Sequence, residues 1–289
     1  MSKLKESLDK GKFVVTGEIA PPKGTDISKC IKEAEEIKNK VVAVNVTDLQ
    51  SSVMKAGSLV VSRLLVEKGI EPVFQLTTRD RNRLALQSDL LSAAIFGIEN
   101  VLCLTGDFTT LGDHPQAKPV FDLDSVQLLQ AARTLESGVD LAGKPLEGSP
   151  SFFLGAVVNP GAVPLEPQLI KMEKKVKAGA QYFQTQAVYE PDRFAAFIDK
   201  VKYLNTPILA GIVLLKSAGM ARFMNANVAG VSVPEVLIDR MQKSTDKVKT
   251  SIEITVELIR ELRSFCQGIH LMPLGWADKI PAILEQIGI

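Results

Sequence analysis

The feature that most limits the fold is an eightfold alternation of short apolar segments with longer amphipathic segments. Apolar runs of four to nine residues lie at 13–19, 41–46, 72–77, 101–104, 152–158, 182–186, 207–215 and 269–274. Such runs are typical of buried strands, and the stretches between them carry apolar residues at helical spacing. Eight strand-then-helix units in about 280 residues match a (β/α)8 barrel. We therefore predict one α/β domain over residues 1–289, a (β/α)8 TIM-type barrel, with a doubly wound open sheet as the alternative.

The intervening helices are predicted from their caps and stop signals. Asp26 or Ser28 can cap the first, and each of three glycines, Gly69, Gly97 and Gly179, ends another. The helices are expected at about 28–39, 56–68, 82–96, 125–135, 166–178, 191–203 and 277–287, with short helices and then a long one near 245–265 after strand seven. The Gly- and Pro-rich segment 138–150 is typical of a surface loop.

Composition excludes several classes of protein. The chain has 34 basic and 33 acidic residues, so it lacks the basic field that nucleic-acid binding requires. Its longest apolar run, 207–215, is too short for a membrane span, and the polar N-terminal segment is unlike a signal peptide. Three well-separated cysteines favour buried free thiols in a reducing compartment. We expect a cytoplasmic protein with no nucleic-acid partner and no membrane span.

Polar residues mark the ends of most predicted strands, where barrel enzymes carry their chemistry. These are Glu18, Thr47, Asp48, Thr77, Arg79, Asp107, Asn159, Gln184, Gln186, Lys216 and Trp276. Any one of them could be polar simply because it meets water. Glu18 is harder to explain in that way, because it lies among apolar residues just before two prolines. Gln184 and Gln186 share one face of a strand by the period of two.

The fourth strand leads into a long loop, 105–124, that contains aspartates near both ends and a histidine and a lysine between them. Loops of this length are usually functional or disordered, and these residue types favour function. A carboxyl group with apolar surroundings is a candidate general acid, because desolvation raises its pKa toward neutrality. A carboxylate that stays ionised can instead accept two N–H bonds from an amino-pyrimidine. Glu18 and Asp107 can divide these roles, or each can simply pair with a nearby lysine or arginine.

Several other signals are weak. Residues 138–144 imitate a phosphate loop, but Pro145 occupies the Ser/Thr position and no strand precedes the segment. No G-x-G occurs, so the dinucleotide fingerprint is absent. His114 and His270 lack partners at metal-ligand spacing, so no metal site is predicted. Trp276 can stack on a ring or pack against the last helix, and we favour packing.

Three short motifs resemble methylenetetrahydrofolate reductases. The segment 17–22, GEIAPP, is similar to that family's Phe-Glu-Phe-Phe-Pro-Pro signature, and 104–107, LTGD, resembles its Leu-Arg-Gly-Asp. The segment 175–180, KVKAGA, followed by Thr185-Gln186, resembles the family's Lys-Val-x-Ala-Gly-Ala…Thr-Gln with the same spacing. Each motif alone is weak, and their order and spacing make the resemblance specific.

The resemblance implies a (β/α)8 flavoprotein that reduces 5,10-methylenetetrahydrofolate to 5-methyltetrahydrofolate by hydride transfer from reduced FAD. Glu18 matches the general acid, Asp107 the aspartate between flavin and pterin, and Gln186 a glutamine that binds the pterin. The FAD contacts would fall on Thr47, Gln75, Thr105, Gly106, Asp107, Phe121, Asn159 and Lys175. A member of this kind is expected to contain the catalytic domain alone and to act as an oligomer or within a complex.

The chain departs from the family pattern at three places. Thr105 replaces an arginine, Gln75 replaces a histidine, and 213–216 differs from the Leu-Pro-Val-Ser stretch. The electron donor is therefore expected to be NAD(P)H or a partner electron-transfer subunit. Two alternatives stay open: a non-catalytic folate-binding subunit of a larger one-carbon complex, and an aldolase or lyase with Lys175 or Lys216 as a Schiff-base amine.

Overall fold

Eight parallel strands close into a barrel in the order of the chain, with β8 returning to pair with β1. The computed structural model describes residues 2–289. The strands are β1 (Val14–Ile19), β2 (Ala43–Val46), β3 (Pro72–Thr77), β4 (Asn100–Leu104), β5 (Phe153–Val158), β6 (Tyr182–Ala187), β7 (Ile208–Val213) and β8 (Gly268–Met272). The predicted (β/α)8 barrel is confirmed, and the open sheet is excluded.

Helices cover the outside of the barrel and close its amino-terminal end. They are α1 (Lys3–Asp9), α2 (Ser28–Ile37), α3 (Ser58–Glu67), α4 (Arg83–Ile95), α5 (Ser125–Glu136), α6 (Glu166–Lys177), α7 (Pro191–Val201), α8 (Ala218–Asn227), α9 (Glu235–Lys243), α10 (Lys247–Leu262) and α11 (Ile280–Ile287). Short 3-10 turns lie at Gln50–Ser52, Thr109–Leu111, Lys202–Leu204 and Ala277–Lys279. The predicted helices are present, with ends that differ by a few residues.

Caps explain several of these ends. Asp124 caps α5 in a capping box, with its side chain accepting from the backbone N–H of Val126 and Gln127. At α2 the N-cap residue is Ile27, and Asp26 instead accepts from the backbone N–H of Ser28 at 2.9 Å. Neither residue predicted as the cap of α2 occupies that position, although Asp26 still satisfies a free N–H group of the first turn.

Helix α1 plugs the amino-terminal end of the barrel and was not predicted from the sequence. Leu4 and Leu8 are buried together with inward residues of the strands, such as Val14 and Phe153. The carboxylate of Glu71 accepts hydrogen bonds from the backbone N–H of Lys3 and Leu4 at 2.7 and 3.0 Å. The helix is seven residues long, too short to form without this packing.

Backbone strain concentrates at the opposite, carboxyl-terminal rim. Of the six non-glycine residues with positive φ in the described part of the chain, five lie in loops that follow strands there: Leu49, Ser51, Ser52, Phe121 and Leu274. Non-glycine residues adopt this conformation at a cost, and such positions cluster at functional sites. The rim is therefore the first place to seek a site.

Three further observations concern the cysteines, the helices and the metal-ligand residue types. All three cysteines are free and buried, as predicted. Among residues 2–289 the helices are all too short or too polar to cross a lipid bilayer. No group of three or more His, Cys, Asp or Glu side chains in this part of the chain is arranged to hold a metal ion.

Candidate active site

A buried polar pair lies inside the barrel where β1 meets β8. The inward positions of β1 are occupied by Thr16 and Glu18, and His270 is the inward residue of β8 beside them. His270 Nδ1 lies 2.9 Å from Thr16 Oγ1, and its Nε2 lies 3.4 Å from Glu18 Oε2. All three side chains are buried. The imidazole therefore connects the hydroxyl below it to the carboxylate above it.

Two amides continue this polar layer across the barrel. Asn45 Nδ2 donates to Gln184 Oε1 at 2.7 Å, and Gln184 Nε2 donates back to Asn45 Oδ1 at 3.1 Å. Gln184 Nε2 also lies 3.5 Å from Thr16 Oγ1. Reciprocal bonds of this kind satisfy both amides in a dry interior.

This layer fixes the height of the residues above it. Glu18 follows Thr16 by two residues on β1 and so belongs to the next inward layer toward the rim, whereas the register of β6 against β7 shifts between Gln184 and Ala187, which interrupts this alternation at Gln186. Gln186 is exposed although it lies on a barrel strand.

Within residues 2–289, Glu18 has no lysine or arginine partner. Its carboxylate is 8% exposed, and Gln75 Nε2 donates to it at 3.4 Å. Among residues 2–289, His270 is its one ion-pair neighbour within 4.0 Å. The alternative of a simple pair with a lysine or arginine is therefore absent at Glu18 within the described residues. Its long contacts leave the carboxyl available to a ligand, as is common in ligand-free active sites.

A cleft opens beside Glu18 at the rim. It has a volume of about 390 Å³ and is lined by Pro21, Pro22, Lys23, Lys29, Lys55 and Gly275, among others. Its size is in the range of ligand pockets in proteins. The buried carboxylate is therefore reachable from solvent by a small molecule.

Asp107 stands at the turn that ends β4. Its side chain is exposed and makes no hydrogen bond or ion pair within the described chain. Gly106 before it has φ +90°, and a Cβ there would lie 2.3 Å from Thr77 Cγ2. Glycine is required at this position both by conformation and by space. The turn presents a free carboxylate at the mouth.

The long loop after β4 is docked on the loop after β2. A Cβ on Gly112 would lie 1.9 Å from the Ser52 carbonyl oxygen, so the two backbones touch. Asp113 accepts from the backbone N–H of Met54 at 3.0 Å and pairs with Lys23. His114 also contacts Asp113, at 2.9 Å. Residues 105–124 are thus held against the rim, and the histidine of this loop is taken up in holding it.

Two of the predicted cofactor residues have unmet bonding capacity. The Thr47 hydroxyl is buried without a hydrogen-bond partner. Lys175 on α6 is 5% exposed, and its Nζ donates to the Val157 carbonyl at 2.6 Å. No carboxylate lies within ion-pair distance of it in the described chain, and burial lowers the pKa of this amine to about 8. Both groups can accept a polar ligand, and an anion suits Lys175.

Other predicted cofactor residues form bonds within the protein. Thr105 Oγ1 accepts from the backbone N–H of Ser125 at the start of α5, at 3.2 Å. Asn159 donates to the Ala229 carbonyl at 2.8 Å. Phe121, with positive φ, packs edge-on against Phe108 at 6.3 Å between ring centroids. These side chains shape the rim, and their backbone groups remain near it.

Other polar strand ends have structural roles. Asp48 is buried and accepts two hydrogen bonds from Arg81, at 2.7 and 3.1 Å, and one from the Thr77 backbone at 2.9 Å. Lys216 lies over the Trp276 ring at 4.9 Å from its centroid. Trp276 is half-buried and packs against the apolar core, as we favoured.

Sequence reasoning missed three residues of the site: Thr16, Asn45 and His270. His270 was weighed as a metal ligand alone and set aside. The alternation of inward and outward residues along a strand could have identified His270. Closure of the barrel pairs β8 with β1 and so places the inward residues of β8 beside Glu18. Thr16 and Asn45 are likewise inward polar residues in otherwise apolar strands.

Solved structures resemble this chain in fold. An uncharacterized protein from Clostridium thermocellum, described as binding two copies of 5-methyl-5,6,7,8-tetrahydrofolic acid, has a TM-score of 0.67. Its sequence is 18% identical, and the match covers 99% of this chain and 98% of that one. An oxaloacetate acetylhydrolase has a TM-score of 0.54 at 10% identity, covering 98% of this chain and 84% of that one. At these identities the likeness establishes the fold alone.

Sequence relatives identify the family. Methylenetetrahydrofolate reductase 2 of Schizosaccharomyces pombe is 27% identical over 245 residues, which are 76% of this chain and 36% of that protein. The chain thus spans about a third of that relative's length. The 5,10-methylenetetrahydrofolate reductase of Pectobacterium carotovorum is 22% identical over 290 residues, covering 96% and 91%. A family model described as methylenetetrahydrofolate reductase matches residues 3–288. The chain belongs to the methylenetetrahydrofolate reductase family.

Proposed function

We propose that this protein reduces 5,10-methylenetetrahydrofolate to 5-methyltetrahydrofolate with reduced FAD as the hydride source. The observation that carries this proposal is Glu18, a buried carboxyl without a lysine or arginine partner among residues 2–289, which lines a cleft in a chain matched by the family model. A structural neighbour that binds methyltetrahydrofolate on the same fold adds support.

Glu18 would serve as the general acid that opens the bridged ring of the substrate to its iminium form. A carboxyl suits this role when its surroundings are apolar and its hydrogen bonds are few. Here the contacts are two nitrogens at 3.4 Å, from Gln75 and His270. His270 is held by Thr16, so the groups around the acid are fixed before substrate arrives.

Asp107 and Gln186 would bind the pterin. The Asp107 carboxylate is exposed and free of protein partners, so it can accept two parallel N–H bonds from an amino-pyrimidine edge. Gln186 can both donate and accept, which matches the mixed edge of a pterin. Both are exposed near the carboxyl-terminal ends of their strands, Asp107 after β4 and Gln186 on β6.

The residues of the rim fit a flavin in part. Thr47 offers a buried hydroxyl without a partner, and Lys175 offers a buried cation without a counter-ion. Gly106 gives close backbone access, and the other proposed contacts are Gln75, Thr105, Asp107, Phe121 and Asn159. When bound, FAD would supply the hydride, and these residues would orient it against the folate. The donor that reduces it would be NAD(P)H or a partner electron-transfer subunit.

The test separates the two half-reactions. Purified protein incubated with FAD is expected to show a flavin spectrum, and anaerobic NADH, NADPH or dithionite should bleach it. Adding methylenetetrahydrofolate should then restore the spectrum. Glu18→Gln should slow this second step by at least about 100-fold while the first survives. The control Glu67→Gln, at the far end of α3, should leave both steps unchanged. Equal loss of both steps in Glu18→Gln would refute the role of Glu18.

A second candidate is a non-catalytic folate-binding subunit of a larger complex. Thr105 favours it, since this residue bonds to the start of α5 where the family pattern has a cation. The same experiment decides between them. The binding subunit would be established in place of the reductase if the protein binds 5-methyltetrahydrofolate, takes up no flavin and shows no turnover with any of the donors.

A further inference from the structure

Arg79 is the largest fully buried side chain of the described residues, at 2% exposure, and lies just after β3. A buried guanidinium is costly unless its N–H donors are satisfied. Its Nε and Nη2 donate to the Asp80 carboxylate at 2.9 and 2.7 Å, and Nη2 also donates to the Leu49 carbonyl at 3.3 Å. Asp80 thus balances the charge, which leaves geometry as the reason for an arginine here.

The remaining arm of the guanidinium supports the turn after β4. Nη1 donates to the Asp107 carbonyl at 3.1 Å. A Cβ on Gly106 would lie 3.2 Å from Arg79 Cβ and 3.3 Å from its Nη1. The backbone N–H of Arg79 donates to the Thr105 carbonyl at 3.1 Å. Arg79 therefore contacts three consecutive residues, 105–107, from below.

Nothing in the described chain holds the Asp107 side chain itself. Its orientation depends on the backbone of its own turn, which is tied by Arg79 and by Ser52 Oγ at 3.2 Å from the same carbonyl. A carboxylate that accepts two parallel N–H bonds must be held within a small angle to do so. The backbone support is thus the available means of fixing this carboxylate.

We infer that Arg79 is a positioning residue, which fixes the Asp107 carboxylate for the amino-pyrimidine edge of the folate. This inference rests on the proposed function. Arginine suits the task because its planar fork reaches three loops at once, those after β2, β3 and β4. Lysine keeps the charge but concentrates its donors at one point. Arg79→Lys should therefore lose the support while keeping the charge.

The experiment is a double-mutant cycle on binding of 5-methyltetrahydrofolate, measured by calorimetry. Arg79→Lys is expected to weaken binding by roughly tenfold, the loss of one charge-assisted hydrogen bond. In the Asp107→Ala background, the same substitution should change the dissociation constant by less than about twofold. A general structural defect would instead weaken binding by the same factor in both backgrounds, and that result would overturn the inference. Unchanged binding in Arg79→Lys alone would overturn it as well.

The chain offers a matched control in Arg133. That side chain donates to one carboxylate, Glu136, at 2.7 Å and to the Gly179 carbonyl at 3.0 Å. Gly179 has φ +112° and touches it, as Gly106 touches Arg79. Gly179 lies between α6 and β6, at the end of the barrel away from the rim. Arg133→Lys should lower the melting temperature without changing folate affinity.

Two further measurements keep the outcomes distinct. Wild-type protein that fails to bind 5-methyltetrahydrofolate would remove the proposed function and the inference together. If Arg79→Lys does not fold, Asp80→Asn replaces it, since Asp80 is 29% exposed at its side chain and anchors Arg79 from the solvent side. Asp80→Asn should weaken binding by a smaller factor that also disappears in the Asp107→Ala background. Persistence of its effect in that background would count against the inference.

Discussion

Replacing Lys175 with methionine should stabilise the ligand-free protein at neutral pH. Lys175 is 5% exposed with no carboxylate within ion-pair distance, and burial lowers its pKa from the ordinary 10.5 to about 8. At about 1.36 kcal/mol per pH unit, keeping this amine charged in the folded protein costs about 3 kcal/mol. Methionine removes that cost and also the bond to the Val157 carbonyl, a loss of about 1 to 2 kcal/mol. The expected net gain is on the order of 1 to 2 kcal/mol.

The gain should depend on pH in a defined direction. Below pH 8 the lysine is protonated in both folded and unfolded protein, so its full cost is present. Between about 8 and 10.5 the folded protein loses the proton before the unfolded chain does, so the wild type gains stability as the pH rises. The advantage of Lys175→Met should therefore shrink through this window and change sign near its upper end.

Thermal and urea unfolding from pH 7 to 9.5 test this. Lys175→Met should raise the melting temperature by roughly 2 to 6 °C at pH 7. The matched control Lys174→Met, at an exposed position of the same helix, should show no such pH dependence. A Lys175→Met protein that is no more stable than wild type at pH 7, or a difference that stays flat with pH, would refute the reasoning. The same variant should bind FAD more weakly if Lys175 holds the anionic part of the cofactor.

Three other predictions concern the plug, the rim and proton linkage. Glu71→Ala should destabilise the fold by roughly 2 to 4 kcal/mol in urea by freeing helix α1, whereas Glu67→Ala should cost under about 0.5 kcal/mol. Gly112→Ala should weaken FAD binding, measured by flavin fluorescence, because its Cβ would displace the long loop; Gly24→Ala, with open space around it, should not. Binding of FAD at pH 8.5 should take up about three-quarters of a proton at Lys175 and almost none at pH 6.5, measured by calorimetry in two buffers.

Periodicity alone was sufficient to predict the barrel, because each strand and helix has a pattern that depends on its own residues. The residues 72–77 were predicted as a strand and are β3. Helix α1 was not predicted, since two leucines in a polar segment form no helix in isolation. Helix α1 is stabilised by Glu71 and by inward residues at the amino-terminal end of the barrel, most of which are distant from it in sequence.

The site was predictable to the extent that strand ends share one rim. Glu18, Asp107 and Gln186 could be identified as candidates because each ends a strand at the carboxyl face. The neighbours of Glu18 could not, since the contact with His270 joins residues 252 positions apart and arises only when the barrel closes. Arg79 was one polar strand end among many, and its burial beneath Gly106 depends on how three loops meet.

The two buried charges at this rim differ in a way that bears on function. Arg79 carries its own counter-ion, Asp80, and its donors go to backbone carbonyls, so folding alone satisfies it. Lys175 has one carbonyl and no counter-ion, so folding leaves it with an unmet cost. A buried cation with its own counter-ion is stable without a ligand. A buried cation without one destabilises the ligand-free protein, and binding of an anion offsets that cost. The geometry therefore separates Arg79, which supports the turn after β4, from Lys175, whose charge is left without a counter-ion in the described chain.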